Sequence, residues 1–153
     1  MKADIVKFKE MSCKGIVSGI LNEDKTIDLE RTKELVELTR PLEFTFHRAF
    51  DVVSDPIEGM KQLINIGADR ILTSGQKDTA IEGIKLIKKL TEIADNRIVI
   101  MPGSGIKLKN INLFENSSFS EIHGSFTKQL KTMVDFKYKI FLLILLQLRT
   151  FLM

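Results

Sequence analysis

Four short apolar runs recur along the chain about 27 residues apart: GIVSGIL from Gly15, EFTFH from Glu43, RILTSG from Arg70 and RIVIMPG from Arg97. A fifth, EIHGS, starts at Glu121. Between the runs, apolar residues three and four apart predict amphipathic helices: Leu29, Leu35 and Leu38; then Ile57, Met60, Leu63 and Ile64; then Ile81, Ile84, Ile87 and Ile93. Short β-rich runs alternating with helices require parallel strands joined by crossovers. The expected class is therefore α/β, with about five parallel strands alternating with helices; a (β/α) barrel has this repeat, and an open doubly wound sheet shares the alternation. Asp28 is placed to cap the second helix, Ser54 with Asp55 and Pro56 the third, and Asp78 the fourth, while Gly15 and Gly67 fall where helices stop. Ahead of the first run, residues 1–15 read as a charged amphipathic helix with Ile5, Phe8 and Met11 on one side. Five strands do not close an eight-stranded barrel, so the chain is either incomplete or pairs with another copy.

Composition narrows the classes. With 44% hydrophobic and 28% charged residues the chain is globular rather than disordered. A net charge of +3, spread along the length, gives no nucleic-acid footprint. Cys13 stands alone, which excludes an internal disulfide or a CxxC motif and fits the cytoplasm. The expected organisation is one domain over residues 1–135 followed by an apolar tail, 136–153. The tail run IFLLILLQL, Ile140 to Leu148, is far shorter than the roughly 18 residues needed to span a bilayer. It reads as a buried last helix, as a stretch foreign to the fold, or as a membrane contact.

Sites in both architectures gather at the C-terminal ends of strands. In TFHRAFD, alternation puts Phe44 and Phe46 on one face and Thr45 and His47 on the other, making His47 a base, a metal ligand or a hydrogen-bonded structural histidine. Arg48 and Asp51 follow, to hold an anion or to pair with each other. In EIHGS, Glu121 and His123 share a face, so that two histidines and a carboxylate would converge as a metal or acid–base set, or satisfy one another. Thr73 and Ser74 offer hydroxyls to the same mouth. Gly103, Ser104 and Gly105, with Gly124 and Ser125 after the next strand, form an anion cradle if a helix starting near Lys107 points at it, or else serve tight turns. Soft Cu(I) would favour thiolate and thioether, for which only Cys13 and Met101 come near, and Cys13 precedes its strand.

The segments TFHRAFD, DRILTSG, RIVIMPGSGI and EIHGS, with KADI near Lys2 and TIDLERTKELV from Thr26, resemble the CutC family in order and spacing over roughly Lys2 to Ser125. The resemblance implies a partial TIM-type (β/α) barrel, with these runs as its fourth to eighth strands and the three earlier ones missing from a truncated chain. It implies a role in copper homeostasis with copper binding; taken with the polar residues converging at the strand ends, His47 and His123 are the expected metal ligands and the mouth is expected to take copper or a small anionic ligand. The alternative is an enzyme acting on a phosphorylated small molecule, with phosphate held by the glycine loops and protons moved by His47 or Glu121. A homo-oligomer is expected. The sequence departs from the family where Ser104 interrupts three consecutive glycines and where Phe126, Thr127 and Lys128 replace a small residue and an arginine.

Overall fold

The computed structural model of the chain describes residues 2–11, 13–115 and 119–124. Helices and strands alternate as α1 (Lys2–Glu10), β1 (Gly15–Ser18), α2 (Leu29–Thr39), β2 (Glu43–Phe46), α3 (Pro56–Asn65), β3 (Arg70–Thr73), α4 (Ile84–Ala94), β4 (Val99–Pro102) and a short α5 (Asn112–Glu115). A 3-10 turn, Arg48–Val52, links β2 to α3. The strands pair in parallel in the order β1-β2-β3-β4. Strictly sequential order separates the two architectures left open by the alternation: a doubly wound sheet reverses its order at a switch point, whereas barrel staves follow one another. The fold is a partial (β/α) barrel. Its fifth run is represented by a single parallel bridge, Gly103 with His123, in which the His123 N–H donates to the Pro102 carbonyl at 2.8 Å.

Period-two alternation sorts each strand. Phe44, Phe46, Ile71 and Ile100 face the helices and are buried with Met60, Leu63, Ile87 and Leu90. Burying each large apolar side chain contributes roughly 1.5–3 kcal/mol, so this layer is what holds strands and helices together. Thr45, Arg70, Leu72 and Met101 face the other way, into the lumen, where Val17 on the edge strand β1 is 62% exposed. Of the apolar stripe expected on α1, only Ile5 is buried; Phe8 and Met11 are exposed among the described residues.

The helix boundaries follow local hydrogen bonding. Asp28 accepts from the Arg31 N–H at 2.9 Å, and Asp55 rather than Ser54 accepts from the Ile57 and Glu58 N–H groups, with Pro56 in the first turn. Gly67, at φ +80°, ends α3 as expected. Asp78 does not cap α4. Gly83 holds the N-cap position with no side-chain cap, and the turn just ahead of it is closed by a reciprocal exchange in which the Thr79 N–H bonds the Glu82 carboxylate at 3.0 Å and the Glu82 N–H bonds the Thr79 hydroxyl at 3.4 Å. The fourth run also starts late, at Val99, because the Arg97 guanidinium turns back onto the Ala94 and Ile93 carbonyls at the end of α4.

Candidate functional site

At the C-terminal ends of the strands, the turn after β2 and the loop after β3 are tied together by one carboxylate. Asp51, its side chain 8% exposed, accepts from the Thr73 hydroxyl at 2.6 Å, the Ser74 N–H and hydroxyl at 2.9 Å each, and the Gln76 N–H at 3.3 Å. Arg48 Nε adds an ion pair at 2.8 Å. Burial pushes the Asp51 pKa up, but the bonds from Thr73, Arg48 and Ser74 together outweigh it and hold the carboxyl below its usual value. Arg48 and Asp51 therefore pair with each other, and a second bond from Arg48 Nη2 to the Ser74 hydroxyl at 2.9 Å fixes the guanidinium over the mouth.

Arg48 then lines a cavity of about 300 Å³ with Leu72, residues 104–107, His123 and Gly124. Of the residues expected at the mouth, Arg48, Ser104, Gly105, His123 and Gly124 line this cavity, and Lys107 lines it with them. Gly103 packs beneath, where a Cβ would run into the Leu72 side chain and approach that of His123. Ser104 adopts φ +83°, a left-handed conformation that suits the glycine it replaces in the family pattern, and its hydroxyl donates to the Asp78 carbonyl at 2.8 Å. Ser125 lies outside the described residues, as does the tail, 136–153.

Three expectations for this site are corrected. No helix starts near Lys107: the chain turns, the Lys107 N–H is taken by the Asn110 side chain at 2.8 Å, and α5 is a single turn further on. Helix-dipole support for an anion is therefore missing. Thr73 and Ser74 do not offer their hydroxyls to the mouth, since both are engaged by Asp51. Glu121 is not at the mouth at all. Both its oxygens accept from Arg70, at 2.6 Å and 2.9 Å, and Arg70 also reaches Glu43 at 2.9 Å. Glu43 and Arg70 are the first residues of β2 and β3, so this cluster closes the lumen at the N-terminal ends of the strands. The bond to Glu121 pushes the Arg70 pKa up; burial opposes it and Glu43 adds to the rise, so Arg70 stays charged.

These positions do not fit a copper centre. His47 does not line the cavity; its Nδ1 accepts from the Ala49 N–H at 3.3 Å and its ring lies against Gly19 after β1. His123 shares its cavity with Arg48 and Lys107, and among the described residues no carboxylate, thiol or thioether lines it. Among the described residues no group of three or more His, Cys, Asp and Glu side chains is placed to hold a metal, so the His47, Glu121 and His123 set is not assembled. No helix of the described residues is long and apolar enough to cross a membrane.

The CutC family model matches residues 1–128. A CutC family protein of Parabacteroides distasonis is 46% identical over 126 residues, which cover 82% of this chain and 52% of that protein. The copper homeostasis protein cutC homologs of Mus musculus and Homo sapiens are 48% and 47% identical over 126 residues, covering 82% of this chain and 46% of each of them. The chain spans about half the length of the curated relatives it matches. The crystal structure of the CutC protein of Streptococcus agalactiae matches with a TM-score of 0.69 at 39% identity, over 73% of this chain and 55% of that one.

Proposed function

Because the chain belongs to the CutC family, we propose that it acts in copper homeostasis, the role for which its mouse and human relatives are named. The observation that carries the proposal is the extent of the match: residues 1–128 take in every strand-end motif. In this reading residues 1–135 are the working unit, residues 136–153 are an appended tail, and the compartment is the cytoplasm. Copper is the ion whose level is controlled and not a resident centre at this mouth, since the donors there do not suit it. A second copy of the chain is the proposed partner, because among the described residues no strand pairs with the outer edge of β1 and Val17 on its lumen face is exposed. The reading as an enzyme on a phosphorylated substrate is weaker. Its proton carriers would be Glu121, whose oxygens are held by Arg70, and His47, which lies off the cavity.

Copper tolerance tests this directly. In cells deleted for their own family member, expression of the full chain should restore growth on elevated copper to at least half of the wild-type level. Growth no better than with an empty vector, at matched expression, would overturn the proposal.

A further inference from the structure

We propose that the mouth cavity is a binding site for a small oxyanion of the phosphate class, either the free ion or the phosphate of a small ester. The inference rests on the cavity alone and stands whether or not the copper role does. Two formal cations, Arg48 and Lys107, line it beside His123, and among the described residues no acidic side chain does. Asp51 offsets Arg48 from behind the wall, so the excess positive charge facing the cavity comes from Lys107, and a positive concavity with partly apolar walls attracts and retains an anion.

The two cations differ in how they are held. Arg48 is fixed through Nε on Asp51 and Nη2 on the Ser74 hydroxyl, which leaves Nη1 without a hydrogen bond among the described residues. A guanidinium clamped on one side and open on the other presents a preoriented donor to an oxyanion, with little rotamer entropy left to lose. Lys107 is exposed, and its ammonium pairs with no carboxylate among the described residues. It supplies a mobile point charge that can close over the ligand. Asp51 is then a positioning residue: it aims Arg48 without lining the cavity. The Ser104 hydroxyl and the Lys107 N–H are already engaged, so the loop gives shape and the side-chain cations give affinity. A volume of about 300 Å³ also leaves room beyond the anion itself for a short organic group against Leu72 and Ile106.

Titration calorimetry of the full chain with inorganic phosphate, and separately with glycerol phosphate, tests the site at constant ionic strength. Saturable one-site binding is expected, weakened at least tenfold in Lys107→Met and in Arg48→Met and unchanged in Lys89→Met, an exposed lysine on α4. Tighter binding of glycerol phosphate assigns the ester, and tighter inorganic phosphate assigns the free ion. Absence of saturable binding to the wild type overturns the proposal. So does equal affinity in Lys107→Met, an exposed substitution that leaves the fold intact.

Discussion

Replacing Arg70 with methionine should destabilise the chain by about 3–5 kcal/mol, the cost of stranding a buried carboxylate after its partner is removed. Arg70 is 8% exposed and Glu121 is 11% exposed, so little water reaches them to take over. Exposed pairs such as Lys33 with Glu37 are worth about 0–1 kcal/mol and serve as the contrast. Arg70 also joins two strands and the fifth run: with the His123 N–H bond to Pro102, its pair with Glu121 anchors that run to the sheet. Urea denaturation of the full chain measures the loss. The double variant Arg70→Met, Glu121→Met should recover most of it, because an apolar pair of similar volume carries no desolvation cost. A loss below about 1 kcal/mol in the single variant would place the cluster with surface pairs and contradict its role as a lumen anchor.

Asp51→Ala should cost about 2–4 kcal/mol, since it leaves the Ser74 N–H and the Thr73 hydroxyl without their acceptor in a buried turn. It should also lower phosphate affinity, by releasing Arg48. The pH dependence has a definite sign. The folded-state pKa of Asp51 lies below its unfolded value of about 3.9, so its contribution is complete above that value and is lost as pH falls through the lowered folded pKa. Wild-type stability should therefore fall more steeply below about pH 4 than that of Asp51→Asn. Parallel acid denaturation profiles for the two proteins would remove Asp51 as the organiser of these loops.

Much of this architecture is legible in the sequence because its causes are local. Strand alternation put Phe44 and Phe46 under the helices and Thr45 opposite, and aspartates before helices marked two of three starts. The misses have causes in the folded chain. Asp78 lies too far ahead of α4, because Thr79 and Glu82, at a capping-box spacing, close a separate turn before the uncapped Gly83. Asn110 bonds the Lys107 N–H and the Gly105 carbonyl, offering the backbone a turn in place of a helix. For Glu121, alternation gave the right face but not the height. Two residues along a strand is about 6.6 Å, enough to separate His123 at the mouth from Glu121 beside Arg70. A charged residue opening an apolar run, as Arg70 does, was the available signal that a lumen partner existed. Lys107 carries no such signal, because only the path of the loop brings it to the cavity.

The central proposal is that this CutC-family chain serves copper homeostasis without a copper centre at its barrel mouth. A Cu(I) titration of the reduced full chain against a chromophoric chelator tests it most directly, alongside His123→Ala. The account predicts that the chelator keeps its copper and that wild type and variant behave alike. Stoichiometric transfer of one Cu(I) to the wild type, lost in His123→Ala, would contradict it.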